Sequence, residues 1–138
     1  MIGFTCSTFD LLHAGHVEML KFARQNCDEL WVGLQTGIPD RPEKNQPVQT
    51  VLERYVQLEA VRWVDRIIPY ESEADLYRLL KMLPLKHLRF IGWEYHGKLF
   101  TGSDIYTDQN NPGPELRYTS RAHGWSTTDL RKRASINS

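Results

Sequence analysis

The chain carries no surplus of charge: 17 Lys and Arg balance 17 Asp and Glu over its 138 residues. That excludes the overall basic field a general nucleic-acid binder uses, so no nucleic-acid partner is expected. No run approaches the roughly 18 apolar residues of a membrane span, so no membrane partner is expected either. The N-terminus lacks a charged region followed by a long apolar segment, so it does not read as a signal peptide. Cysteine is scarce. Neither Cys6 nor Cys27 has a Cys or His at metal-ligand spacing, so no protein-bound metal is expected, and both are read as reduced, structural thiols of a cytoplasmic protein. There is no internal repeat and no low-complexity block.

What is present is a regular alternation. Its length fits one domain over residues 1–138. Apolar runs at 2–6, 30–34, 66–68, 88–92 and 115–119 read as strands, the third stopped by Pro69. Between them, residues 17–25 read as a helix with Val17, Leu20 and Ala23 on one side. Thr50 followed by Glu53 forms a capping box opening a helix over 51–63, which is expected to bury Val51, Tyr55, Leu58 and Val61. Ser72 opens a third helix reaching about Leu83, with Leu76, Leu79, Leu80 and Leu83 inside. Residues 97–114 hold glycines, prolines and an Asn-Asn pair, and are expected to form a long mobile loop. A last helix begins near Ser126 to Thr128. This pattern predicts an α/β fold: a Rossmann-like, doubly wound, parallel five-stranded sheet of order 3-2-1-4-5. A ligand should bind where the order reverses, beyond the carboxyl ends of strands 1 and 4. That brings the segment from Ser7 to His16 together with Gly92-Trp93-Glu94-Tyr95.

The first of these segments contains His13 and His16 around Gly15. Gly15 lets the backbone approach a ligand closely. His16 lies at a helix start, where unpaired N–H groups and the dipole favour an anion. Two imidazoles beside a phosphate can donate hydrogen bonds to its oxygens and offset charge that develops during transfer. The same spacing also occurs in surface or metal-binding pairs, but no carboxylate or third histidine lies nearby in sequence to complete a metal site.

Ser7-Thr8-Phe9-Asp10-Leu11-Leu12-His13-Ala14-Gly15-His16 closely resembles the Gly-Thr-Phe-Asp-x-x-His-x-Gly-His signature of the cytidylyltransferase branch of the nucleotidylyltransferase superfamily. Further stretches resemble the family in order: Lys44-Asn45-Gln46-Pro47-Val48, Glu53-Arg54-Tyr55, Arg62-Trp63-Val64-Asp65, Gly92 to Lys98, and Arg121 to Thr128. In length and motif the resemblance is to glycerol-3-phosphate cytidylyltransferases. It implies that a phosphate oxygen of the acceptor attacks the α-phosphorus of a nucleoside triphosphate and pyrophosphate leaves. CMP would pass from CTP to a small phosphorylated alcohol such as glycerol 3-phosphate, giving a CDP-alcohol.

By the same resemblance His13, His16, Lys44 and Arg121 are the expected catalytic residues. Thr8, Phe9, Gly15, Gly92, Glu94, Tyr95, Gly124, Ser126, Thr127 and Thr128 would hold the nucleotide. Mg²⁺ would accompany the triphosphate, and a homodimer is the expected assembly, with the Arg62 region near its interface. The chain departs from the family at three places. Ser7 replaces a glycine, and its side chain fits only if the backbone there is regular. Trp93-Glu94-Tyr95 replaces Asp-Asp-Trp in the segment that reads the nucleoside, which leaves ATP as the alternative nucleotide. On the acceptor side Leu76 stands where the glycerol-phosphate enzymes have a lysine, with Arg78 nearby; Arg78 and Asp10 are the candidates there. A third reading is a non-catalytic nucleotide-binding protein of the same fold. Several residues also have plain structural readings: Ser126 to Thr128 as a helix cap, Arg131-Lys132-Arg133 as a charged helix end, Arg62 with Asp65 as an ion pair or subunit contact, and Trp31, Trp63 and Phe90 as core.

Overall fold

The computed structural model describes residues 1–37, 46–120 and 125–136. Their order is β1 (Ile2–Ser7), α1 (Ala14–Gln25), β2 (Glu29–Gln35), α2 (Val51–Glu59), β3 (Arg66–Tyr70), α3 (Glu73–Met82), β4 (His87–Gly92), a single 3₁₀ turn (Trp93–Tyr95), α4 (Ser103–Thr107), β5 (Glu115–Thr119) and α5 (Thr127–Ile136). The five strands form one parallel sheet of order β3-β2-β1-β4-β5, as the alternation predicts. No helix among the described residues is long and apolar enough to cross a membrane.

Strand pleating sends alternate side chains to opposite faces, and both faces are covered. On one, Leu20 and Ala23 of α1 and Leu58 of α2 pack on Leu30, Val32, Leu34, Leu88 and Phe90. On the other, Leu76 and Leu80 of α3 pack with Phe4 and Tyr70, flanked by Cys6, Ile105 and Tyr106. This is why the central strands are apolar without a clean alternation. Both cysteines are free thiols, and burial pushes each one's pKa up.

Several boundaries and burials differ from the sequence expectation. β3 runs through Pro69 to Tyr70. It is an edge strand bonded only to β2, and an edge strand tolerates a residue that cannot donate. In α2 the expected core residue Val51 is 38% exposed, while Arg54 is buried. Arg54 can sit inside because carbonyls satisfy it: Nη1 donates to Thr8 O at 2.9 Å and Gln35 O at 2.6 Å, and Nε to Gln49 O at 3.3 Å. The helix ends at Glu59 rather than near Trp63. The chain then turns so that Asp65 can cap the start of β2. Its carboxylate accepts from Leu30 N at 2.8 Å and pairs with Arg24 at 2.9 Å. Arg62 instead lies 4.7 Å over the Trp63 ring, so of the two structural readings the Arg62–Asp65 ion pair does not form, and Asp65 pairs with Arg24.

The segment 97–114 is not the irregular loop expected from its glycines and prolines. It carries α4 and makes specific bonds. Tyr106 OH meets His87 Nε2 at 2.8 Å, and Tyr77 OH donates to Asp104 Oδ2 at 2.6 Å. The other nitrogen of buried His87 lies 2.7 Å from Pro84 O. Nδ1 therefore donates to that carbonyl and Nε2 accepts from Tyr106. Burial lowers the pKa of His87, consistent with this neutral form.

Asp65→Ala should cost about 1–2 kcal/mol, because it strips the cap from the Leu30 amide and leaves Arg24 without its partner. Urea unfolding should show a lower midpoint at unchanged slope; an unchanged midpoint would remove Asp65 from this role.

Candidate active site

The strand order reverses between β1 and β4, and a cavity of about 600 Å³ opens there. Its walls include Ser7, Thr8, Asp10, His13, Gly15 and His16 after β1, and Gly92, Glu94 and Tyr95 after β4. Ser126, Thr128 and Arg131 from the α5 region close a third side. An open parallel sheet offers its ligand site at this position. The two segments that the strand order was expected to join are thus joined.

The histidines build the start of α1 themselves. His13 is the N-cap, with extended backbone angles (φ −136°, ψ 178°). Its Nδ1 accepts from the Gly15 amide at 3.0 Å, and the His16 Nδ1 accepts from the His13 amide at 3.2 Å. The pair forms a reciprocal capping box, made here from imidazoles instead of hydroxyl and carboxyl. A ring nitrogen that accepts carries no proton, so both neutral rings bear theirs on Nε2. The rings lie 4.0 Å apart, centroid to centroid, at 30°. Phe9 packs on His16 with centroids 5.5 Å apart. Helix capping therefore fixes the tautomers and assigns each neutral ring's proton to Nε2, beside a helix N-terminus of the kind that favours an anion.

The turn leading to this cap is strained. Phe9 and Leu11 both have φ of +50°, in the left-handed region. Such residues cost on the order of 1–3 kcal/mol each and persist only where surroundings hold them. Here the holding is visible. Phe9 is buried in the core, the Leu11 amide donates to Gln49 Oε1 at 2.7 Å, and Arg54 grips the Thr8 carbonyl. Ser7, by contrast, is the regular last residue of β1, in register with Leu34, so the condition for a serine at this position is met.

Asp10 is the hub of the turn. Its carboxylate accepts from Val48 N at 2.8 Å, Gln49 N at 2.9 Å and Arg131 Nη2 at 2.8 Å. Burial pushes its pKa up, but the two amides and the guanidinium outweigh that and hold it below the ordinary carboxylate range. Its oxygens are thus engaged in holding the site's walls.

The remaining candidates divide. Glu94 and Tyr95 line the cavity on the turn after β4, and Gly92 leaves room for the Glu94 carboxylate against the backbone. Trp93 is largely exposed and stacked on His96 at 4.4 Å. Ser126 caps α5, its Oγ accepting from Asp129 N at 3.0 Å, and both Ser126 and Thr128 line the cavity, as does Trp125. Arg78 is not brought to the cavity; it is exposed and paired with Asp75 at 2.9 Å. Lys44, Arg121 and Gly124, and the side chain of Thr127, lie outside the described residues.

Sequence reasoning missed two guanidinium groups. Arg131 belongs to the run that reads as a charged helix end, yet it is half-buried, lines the cavity and pairs with Asp10. Arg89 is 4% exposed on β4 and also lines the cavity. Its signal was a charge inside an otherwise apolar strand, Leu88-Arg89-Phe90-Ile91. Glu73, at the start of α3, lines the same end.

A family model described as cytidylyltransferase-like matches residues 4–133. Among curated relatives, the bifunctional protein HldE of Nitrobacter hamburgensis is 32% identical over 96% of this chain and 27% of its own length. The ethanolamine-phosphate cytidylyltransferase of Mus musculus is 34% identical over 88% of this chain and 30% of its own length. The chain thus spans about a quarter to a third of these curated relatives. Among solved structures, the lipopolysaccharide core biosynthesis protein from Thermoplasma volcanium aligns at a TM-score of 0.64 and 21% identity, over 87% of this chain and 94% of that one. The pantoate-beta-alanine ligase from Francisella tularensis, complexed with beta-gamma ATP and beta-alanine, aligns at 0.59 and 17% identity over 99% and 69%. At these identities the two structures bear on the fold alone.

Asp10→Ala should destabilise the protein by about 3 kcal/mol at neutral pH, since it leaves two amides and a partly buried guanidinium unpaired. The contribution of a carboxylate with a lowered folded pKa is present above its unfolded value, about 3.9, and is lost as pH falls through the folded value. The stability gap between the proteins should therefore narrow below about pH 4. A gap that is independent of pH would contradict the ionised hub.

Proposed function

The chain belongs to the cytidylyltransferase-like family, and from that premise we propose that it transfers CMP from CTP to a small phosphorylated alcohol. A phosphate oxygen of the acceptor attacks the α-phosphorus, the bond from that phosphorus to the bridging oxygen breaks, and pyrophosphate leaves with the electron pair. No covalent enzyme intermediate is needed. The protein's contribution is positioning and charge stabilisation. The observation that carries this reading is the imidazole capping box, formed by two histidines that line the cavity at a helix start and carry their neutral-ring protons on Nε2.

His13 and His16 donate to α- and β-phosphate oxygens as charge moves onto the leaving group. Ser126 and Thr128 offer a hydroxyl and helix-start amides to the outer phosphates. Lys44 and Arg121 enter from the family resemblance as further cations over the triphosphate. Among the described residues no group of three His, Cys, Asp or Glu could hold a metal ion. Mg²⁺ would accompany the triphosphate, which with water would supply most of its oxygen ligands. Bound there, it offsets phosphate charge.

Glycerol 3-phosphate stands as one acceptor among several, because Leu76 replaces the lysine of the glycerol-phosphate enzymes. ATP is the second reading for the nucleotide. The turn after β4 presents Glu94 and Tyr95 to the cavity, while Trp93 is largely exposed, and the family signature that this turn resembles has Asp-Asp-Trp here, which keeps ATP as the alternative. The homodimer is supported by an apolar stripe on the outer side of α2 and its approach: Val48, Leu52 and Val56 are 66%, 71% and 57% exposed. Leu52 and Val56, four residues apart on the helix, share one exposed apolar face with the non-helical Val48 on its approach, and such a face suits a second copy.

Pyrophosphate release should be measured with CTP, ATP, GTP and UTP against a panel of phosphorylated alcohols; CTP with at least one acceptor should turn over. Release with ATP alone would replace CTP by ATP, and no release with any pair would favour a non-catalytic nucleotide binder. His16→Ala should lower kcat about 100-fold or more, on the order of 3 kcal/mol; a change confined to nucleotide affinity would remove it from transition-state stabilisation. Light scattering should give a dimer that Leu52→Glu dissociates, and a monomeric parent protein would end the dimer proposal.

A further inference from the structure

We propose that Arg89 binds the phosphate of the acceptor, and so sets acceptor specificity; this rests on the transfer reaction proposed above. Four observations lead to it. Arg89 is 4% exposed on the central strand β4, yet it lines the same cavity as the histidines. Its Nη1 donates to Thr101 O at 2.6 Å, and its Nη2 lies 4.0 Å from the Cys6 sulfur. Its Nε is buried and has no hydrogen-bond partner among the described residues. No carboxylate among the described residues lies within ion-pair distance of it, whereas the cavity's other described guanidinium, Arg131, is paired with Asp10.

Burying a cation without a counter-ion is costly, and so is leaving an N–H unpaired. Anchoring the Thr101 carbonyl explains Nη1, but it explains neither the unpaired Nε nor the missing carboxylate. The guanidinium also sits 5.2 Å over Phe100 and 5.6 Å over Tyr106. These rings hold its plane, and the residue reaches the cavity wall. A phosphate monoester supplies what is missing: negative charge and acceptor oxygens that match the guanidinium fork.

The neighbours define the rest of the acceptor. Glu73 lines the same part of the cavity, and its Oε2 accepts from Thr101 Oγ1 at 2.6 Å. Its second oxygen is an acceptor suited to a substrate hydroxyl. Phosphate toward Arg89 and hydroxyl toward Glu73 describe a small phosphorylated polyol. The cation that Leu76 fails to provide on α3 is then provided from the sheet beneath it.

The test separates this proposal from the transfer reaction. With the nucleotide site filled by α,β-methylene CTP, or by the ATP analogue if ATP is what stabilises the protein, binding of inorganic phosphate is titrated by calorimetry in the parent protein, Arg89→Lys and Arg89→Met. The parent should bind phosphate, Arg89→Lys should bind about tenfold more weakly and Arg89→Met more weakly still, with nucleotide affinity unchanged. Arg89→Lys keeps the charge and reads out the effect even if Arg89→Met does not fold. For any pair that turns over, KM for the acceptor should rise in Arg89→Lys while KM for the nucleotide stays constant. Phosphate affinity that is the same in the parent protein and Arg89→Lys overturns the proposal, as does a parent protein that binds no phosphate beside the nucleotide analogue. Neither result depends on turnover, so failure of the transfer reaction is recognised separately.

Discussion

The carboxylate of Asp10 accepts hydrogen bonds from the amides of Val48 and Gln49 and from the guanidinium of Arg131. In doing so it joins three segments far apart in sequence: the turn after β1, the approach to α2, and α5. Arg54 works beside it, drawing the Thr8 and Gln35 carbonyls together from within α2. Between them the two side chains hold Phe9 and Leu11 in backbone conformations that neither residue prefers. The cavity is thus not simply a gap left between strands. Its walls are tied by buried charge, and the turn that carries the histidines is held against its own strain.

The imidazoles proposed for the chemistry also build the fold. The Nδ1 atoms of His13 and His16 are consumed by capping α1. That bonding assigns the proton of each neutral ring to Nε2. A helix N-terminus already favours an anion, and two oriented N–H donors beside it add directed hydrogen bonds. For transfer at phosphorus, where little covalent chemistry falls to the protein, donors placed before the reaction are what an active site most needs. Serine or aspartate could cap the helix, but neither would present an N–H donor on the far side of its cap.

Much of this was legible in the sequence because it follows from local patterns. The five apolar runs and the helices between them gave the sheet order through the handedness of crossovers. The reversal point then placed residues 7–16 against 92–95. What was not legible depended on contacts between distant residues. Nothing near Arg54 in the chain says that three carbonyls wait to satisfy it inside the core. Pro69 looked like a strand end because the edge position of β3 is a property of the whole sheet. Segment 97–114 read as irregular because its order comes from His87, Tyr77 and Arg89 rather than from its own periodicity. Arg89 and Arg131 were passed over for the same reason: a charge in a strand or on a helix end becomes informative only when its surroundings are known.

Both imidazoles cap the helix through Nδ1, which puts the proton of each neutral ring on Nε2. Long-range ¹H–¹⁵N NMR on the ligand-free protein reads this directly, at about pH 8, where an ordinary histidine is neutral. His13 and His16 should each show an unprotonated Nδ1 and a protonated Nε2. A proton on Nδ1 of either ring would break the capping box and contradict the account.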